Sequence, residues 1–296
     1  MLCEEIVVSD PIERVGVIGA GQMGAGIAEV SARAGVDVLV FETTDALINA
    51  GRARIMKSLE RGVSVGKITE RERGQAVGKL RFATDLDLMA DRELVIEAVI
   101  EDEAVKTGIF ADLDRVVDGT DAVLASNTSS IPIMKLAAAT QHPERVLGLH
   151  FFDPVPVLPL VELVTTLVTS DDTASRTEQF ASAVLGKQVV RCSDRSGFVV
   201  NALLVPYLLS AIRMVEAGFA TVKDVDKAVV AGLSHPMGPL RLSDLVGLDT
   251  LERIADKMFE EFKEPHYAPP PLLRRMVEAG MLGKKSQKGF YPYPSK

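Results

Sequence analysis

The chain has 296 residues, 47% of them hydrophobic and 25% charged, a composition that suits a soluble globular protein with room for two domains. Its formal net charge of −8 argues against nucleic acid as a main partner, while leaving room for a local basic patch that binds a small anion. The only cysteines, Cys3 and Cys192, suggest no disulfide framework and fit a reducing cytoplasm, and the acidic start MLCEEIVVSDPIER lacks the basic opening and long apolar run of a secretory signal.

The run Val15 to Ile18 is short and apolar, as a strand buried on both faces should be. It leads directly into Gly19-Ala20-Gly21-Gln22-Met23-Gly24, a G-x-G-x-x-G placed where a strand hands over to a helix. In that context Gly19 allows the tight turn, Gly21 lets a pyrophosphate approach bare backbone, and Gly24 lets the helix pack closely on the strand. The helix N-terminus attracts phosphate through its unpaired N–H groups and its dipole, so no basic side chain is required. A second strand, Val36 to Phe41, ends in Glu42, which is spaced to accept hydrogen bonds from an adenosine ribose and to repel a 2′-phosphate. The cofactor implied is NAD rather than NADP.

Asp45 to Gly62 predicts a long helix on which Arg54, Lys57 and Arg61 share one face, either as a solvated charged surface or as an anion-binding one. Ser64 to Gly78 gives a polar turn and a second helix. Leu80 to Ala83 and Leu94 to Val99 return to the sheet, and Asp102 to Val117 is helical. Ala122 to Ser126 is the next strand, and it ends in Asn127-Thr128-Ser129-Ser130, where the ligands of a parallel sheet gather. Those side chains fit either substrate contact or helix capping, with Ser130, just ahead of Pro132, better suited to capping than Ser129.

Arg145 to Leu149 predicts a strand running into His150-Phe151-Phe152-Asp153-Pro154-Val155-Pro156, and Glu162 follows within Leu160 to Val164. A reversal through Pro154 to Pro159 sets His150 beside Glu162. Histidine is the natural proton acceptor near neutral pH, and a neighbouring carboxylate fixes its tautomer and stabilises the imidazolium. Alone, such a histidine is more often structural; beside a nicotinamide it reads as the general base.

After Gln188 to Arg191 the alternation with strands stops, and Ser193 to Gly197 reads as a hinge. The chain thus divides into an α/β, Rossmann-type dinucleotide-binding domain, residues 1–192, and an all-α domain, residues 193–296. Phe198 to Ala217 is strongly apolar but interrupted by Asn201, Pro206 and Arg213, which fits a buried helix kinked at Pro206 better than a membrane span. Asn201 in its first turn is expected to face the cleft. Val222 to Ala231 and Leu240 to Phe262 are further helices, separated by the turn His235 to Pro239. His142, His235 and His266 show no metal-ligand spacing, and no metal is expected.

The segments VGVIGAGQMGAGIA, VIEAVIEDEAVK, ASNTSSI, GLHFFDPVPVLPLVELV, DRSGFVVNALLVPYL, HPMGPLRLSDLVGLD and GKKSQKGFY resemble the 3-hydroxyacyl-CoA dehydrogenase family over nearly the whole chain, and particularly its stand-alone 3-hydroxybutyryl-CoA members. The resemblance implies NAD-dependent interconversion of (S)-3-hydroxyacyl-CoA and 3-ketoacyl-CoA, with His150 as general base and Glu162 as its partner. It implies that Ser129 and Asn201 hold the substrate oxygens. Gly19, Gly21, Gln22, Met23, Gly24, Glu42, Glu101, Lys106, Ser129, Asp153 and Lys285 become candidate NAD contacts. Ser58, with Arg54, Lys57 and Arg61, becomes a candidate contact for the nucleotide end of coenzyme A, and the helical domain a site of homodimerisation. Two positions depart from the family pattern. Asp153 stands where asparagine is common, and an ionised carboxylate there favours positive charge on the neighbouring imidazole and oxidised nicotinamide. Gln287 stands where glycine is common, at a backbone conformation easier for glycine. Two other readings are a dehydrogenase of a free hydroxy or sugar acid, which needs no coenzyme A site, and a non-catalytic dinucleotide sensor, which needs none of Ser129, His150, Glu162 and Asn201.

Overall fold

The computed structural model describes residues 11–117, 119 and 121–293, so Cys3 and the acidic N-terminal stretch ahead of Pro11 lie outside the described residues. Two compact units divide at Asp194 and Arg195.

The first unit is built on eight strands: β1 Arg14–Ile18, β2 Asp37–Phe41, β3 Leu80–Ala83, β4 Leu94–Glu97, β5 Val123–Ser126, β6 Val146–Phe151, β7 Leu160–Thr165 and β8 Gln188–Ser193. They form one sheet in the order β3-β2-β1-β4-β5-β6-β7-β8, parallel throughout except where β7 runs against β6. Its helices are α1 Gln22–Arg33, α2 Asp45–Ser64, α3 Glu70–Gly78, α4 Glu103–Val116, α5 Ile133–Ala137 and α6 Asp171–Gln179. Strands β4, β5 and β6 are buried along their whole length, which is why they read as unbroken apolar runs rather than alternating ones. Apolar side chains from one face of the sheet and from α1 and α2 pack into a core there, among them Val17, Ile27, Val40, Ile55, Leu59, Ile96, Ala125 and Leu149.

The second unit is helical: α7 Val200–Glu216, α8 Val222–Leu233, α9 Pro239–Val246, α10 Leu248–Phe262 and α11 Pro271–Glu278. Its core gathers Val205, Leu208, Leu209, Ile212, Leu240, Leu251, Ala255, Met258 and Leu273. Among the described residues, no helix is long and apolar enough to cross a membrane.

Three local expectations are corrected. The single helix expected from Leu240 to Phe262 is two, because Gly247 takes φ = +99°, outside the helical region, and ends one helix as the next begins. Ser130 does not cap a helix: its hydroxyl donates to Glu101, while Asp194 from the far end of β8 accepts the N–H groups of Ile133 and Met134 at the start of α5, at 3.0 and 2.7 Å. The strand expected to stop at Leu149 continues to Phe151, so His150 lies within β6 and shares its fixed geometry.

Candidate active site

The glycine-rich turn sits at the carboxyl end of β1. Gly19 adopts φ = +96°, and a Cβ on Gly24 would lie 1.9 Å from the Gly19 carbonyl oxygen, so neither position tolerates a side chain. Gly21 is different: a Cβ there would meet nothing within 4 Å, so space lies open over its backbone. Gln22 and Met23 begin α1, whose N-terminus has no side-chain cap and no acidic residue in its first turn. Open backbone beside an uncapped helix N-terminus fits a pyrophosphate. Glu42 follows β2 directly, and its carboxylate accepts the Ala20 N–H at 2.6 Å, which ties the turn to the acid expected to meet the ribose. The residues present therefore fit a dinucleotide.

His150 and Glu162 face each other in the antiparallel β6–β7 register. Nδ1 of His150 lies 2.8 Å from Glu162 Oε2, with Glu162 fully buried and His150 nearly so. The Phe152 ring lies against the imidazole, centroids 4.7 Å apart. The Phe151 N–H donates to Asn127 Oδ1 at 2.8 Å, which fixes the end of β6 to the Asn127–Ser130 loop. Within that loop Thr128 and Ser130 are buried, whereas Ser129 is partly exposed.

Beneath the loop lies a charged cluster. Glu97, at the end of β4, is fully buried, and its two carboxylate oxygens accept from Lys106 Nζ at 2.9 and 3.0 Å, from the Val99 N–H at 2.7 Å and from Ser126 Oγ at 2.6 Å. Lys106 is 1% exposed and lies 3.1 Å from Glu101 as well. Glu101 accepts in turn from the hydroxyls of Thr128 and Ser130, at 2.5 and 2.9 Å, and from the Ser129 and Ser130 N–H groups, both at 3.2 Å. Burial alone pushes the Glu101 carboxyl up, but Lys106 and these hydroxyls outweigh it and hold the group below the usual carboxylate range. Glu101 and Lys106 are both candidate NAD contacts: Glu101 keeps some exposure, while the Lys106 ammonium is enclosed between carboxylates and in this arrangement has no open face for a cofactor. Glu97 is not among the residues the sequence singles out, because one acid closing an apolar strand carries no local mark of its burial.

Ser58, Arg54, Lys57 and Arg61 line one cavity of about 440 Å³ together with Gln22, Gly26, Glu29 and the Asp153–Pro156 segment. Gln22 Nε2 donates to Asp153 Oδ2 at 2.8 Å, and Arg54 donates to the Ala20 carbonyl at 3.1 Å, so the cavity abuts the glycine turn. Burial pushes the Glu29 carboxyl above the usual range, with the Ser58 hydroxyl and Arg33 only partly offsetting it. The cationic face of α2 thus borders a defined cavity.

Asn201 lies in the first turn of α7 and is partly buried. Lys285 pairs with Asp249 through a 2.6 Å hydrogen bond; burial raises the Asp249 carboxyl, but Lys285 more than compensates and lowers it. Gln287 adopts φ = +61°, the left-handed conformation that glycine holds without strain. Among the described residues no group of three or more His, Cys, Asp or Glu is placed to hold a metal ion.

A parallel sheet with a glycine turn on its first strand, an acid closing its second and a histidine–carboxylate pair at the end of a later one defines a Rossmann-type dinucleotide-binding dehydrogenase. The chain belongs to the 3-hydroxyacyl-CoA dehydrogenase family: residues 14–195 match the model of that family's NAD binding domain and residues 197–293 that of its C-terminal domain. It is 81% identical over 285 residues to a 3-hydroxybutyryl-CoA dehydrogenase of Mycobacterium tuberculosis, covering 96% of this chain and 100% of the relative. The crystal structure of M. tuberculosis FadB2 superposes with a TM-score of 0.95 at 80% identity, covering 96% of this chain and 100% of that one. That of (S)-3-hydroxybutyryl-CoA dehydrogenase PaaH1 from Ralstonia eutropha gives a TM-score of 0.92 at 39% identity, with the same coverage.

Proposed function

We propose that this chain interconverts (S)-3-hydroxyacyl-CoA and 3-ketoacyl-CoA with NAD, acting on short chains such as 3-hydroxybutyryl-CoA and acetoacetyl-CoA. The observation that carries the residue assignment is the 2.8 Å His150–Glu162 contact, fixed by strand register at the end of β6 in a member of this family. When bound, NAD would supply the hydride acceptor for oxidation at C3 and, as NADH, the hydride donor for reduction. His150 takes the proton of the 3-hydroxyl at Nε2, the nitrogen opposite the one held by Glu162, and gives it back to the 3-oxygen in reduction. Glu162 holds the imidazole in one tautomer and stabilises it when charged. Ser129 and Asn201 hold the substrate oxygens, so that C3 is aligned before reaction. Gly19, Gly21, Gln22, Met23, Gly24 and Glu42 hold the dinucleotide, with Glu101, Asp153 and Lys285 as further contacts and Lys106 acting through Glu101. Ser58, Arg54, Lys57 and Arg61 receive the coenzyme A nucleotide.

The helical unit forms a homodimer, a reading supported by the family resemblance and by exposed apolar side chains on that unit, Leu203, Phe219 and Leu233. The enzyme acts in the cytoplasm.

The test follows NADH oxidation spectrophotometrically with acetoacetyl-CoA and with free acetoacetate. The CoA thioester is expected to turn over and the free acid is not; no turnover of acetoacetyl-CoA or longer 3-ketoacyl-CoAs refutes the activity. In His150→Gln, NAD binding is expected to persist while turnover falls about a hundredfold or more. Unchanged turnover refutes the assignment of the base.

A further inference from the structure

A second cavity, of about 500 Å³, lies beyond the first and shares Pro156 with it. Arg33, Lys67 and Lys187 line it, against Glu72 as its only acid, so its wall carries a net charge of +2 on a chain of net −8. Those charges are poorly matched by partners inside the protein. The Glu72 carboxylate is committed to the Thr69 N–H and hydroxyl, at 2.6 and 2.8 Å, in the capping box of α3. Among the described residues Arg33 forms one ion pair, with Glu29 at 3.5 Å, and its charge also acts on Glu72. The Lys67 ammonium has no hydrogen-bond or ion-pair partner among the described residues. Lys187 donates to the carbonyls of Val155 and Leu158, at 2.6 and 2.7 Å, which satisfies hydrogens but not charge. Burial and then the nearby Arg33 hold its ammonium below the usual lysine range, so the cations already disfavour one another.

We infer that this cavity is a second anion site, which takes a phosphoryl group at the far end of the coenzyme A of the substrate. The inference rests on the acyl-CoA reading above and extends it past the α2 face. Both cavities lie along α1: Gln22 borders the first and Arg33 the second. They meet there, with Glu29 in the first and Val30 in the second, so a coenzyme A nucleotide seated against the α2 face can place one of its phosphates in the second cavity. In the first cavity Arg54, Lys57 and Arg61 are opposed by Glu29 and Asp153. The second therefore offers the larger excess of positive charge to a polyanion that carries phosphate at two places.

Lys67→Ala and Arg33→Gln change exposed side chains and leave the Lys187 anchor intact. With acetoacetyl-CoA each is expected to raise KM about five- to tenfold at unchanged kcat, an effect that shrinks as salt rises. With acetoacetyl-pantetheine, which has no nucleotide, KM is expected to be unchanged. The 3′-dephospho thioester tells which phosphate is read: loss of the variants' effect assigns the 3′-phosphate, retention the diphosphate. Unchanged KM for acetoacetyl-CoA, or equal rises with the pantetheine thioester, overturns the inference. Calorimetric titration of adenosine 3′,5′-bisphosphate, with inorganic phosphate as a control for free anions, reads the site without turnover. The wild type is expected to bind the bisphosphate at least fivefold more tightly than Lys67→Ala, and equal affinity overturns the site even where the enzyme is active. Wild-type binding without activity on any acyl-CoA would instead sink the functional reading alone.

Discussion

Glu97→Gln is the substitution whose consequence follows most directly from the structure. The side chain keeps its shape, but a fully buried carboxylate that accepts four hydrogen bonds becomes an amide with one acceptor oxygen. Whichever way the amide turns, its NH₂ faces Lys106 Nζ together with either the Val99 N–H or Ser126 Oγ. Removing one partner of a buried ion pair costs about 3 to 5 kcal/mol, and the lower end applies here because Glu101, 3.1 Å from Lys106, remains as a counter-charge. About 3 kcal/mol corresponds to a fall in Tm of roughly 6 to 12 °C for a unit of this size. Lys106→Met should be worse, because it leaves Glu97 and Glu101 without the cation between them. The Glu97→Gln, Lys106→Met double variant should lose less than the sum, since the second change removes the charge that the first one stranded. Scanning calorimetry of all four proteins gives the cycle. A Tm change under about 2 °C in Glu97→Gln, or strict additivity in the double variant, refutes the coupling.

Asp153→Asn keeps an acceptor for the Gln22 amide while removing a negative charge from the cavity bordered by Arg54, Lys57 and Arg61. It is expected to lower the KM for acetoacetyl-CoA about two- to fivefold in low salt, with the difference fading in high salt, because exposed charges are screened. Gln287→Gly relieves a side chain held at φ = +61° and is expected to stabilise the protein by up to about 1 kcal/mol in chemical denaturation; a loss of stability would mean that the side chain contributes more than the backbone costs. The Glu101 carboxyl is held below its ordinary value of 4.5, so its contribution to stability is complete above that pH and is lost as pH falls through the lower folded value. Thermal melts between pH 6 and 3 should therefore show a steeper acid loss in the wild type than in Glu101→Gln, and parallel curves would contradict this.

The parts of the site legible in the sequence are those written by local chemistry. The glycine turn is contiguous, and each glycine answers a local steric demand. His150 and Glu162 are twelve positions apart, yet the prolines between them force a reversal, and the strand register then makes them partners. Glu97 and Asp194 were illegible for the opposite reason. Glu97 reads as one more residue of a strand until its burial is known, and only burial turns an acid into a group that must have a cation nearby. Asp194 satisfies a helix that begins 61 positions earlier, a partnership no local pattern records. The break at Gly247 was hidden because apolar spacing continues across it, whereas the positive φ that ends the helix is not visible as periodicity.

Glu42 joins these two kinds of information. Its spacing from the glycines marked it as the residue that meets the ribose, but the same carboxylate accepts the Ala20 N–H within the turn. A charge anchored in this way cannot swing aside without giving up that bond. A 2′-phosphate would therefore meet a negative charge whose withdrawal loosens the turn, so the penalty falls on cofactor and loop together. In the proposed cofactor pose, a preference for the unphosphorylated ribose would thus come from the same contact that holds the glycine turn.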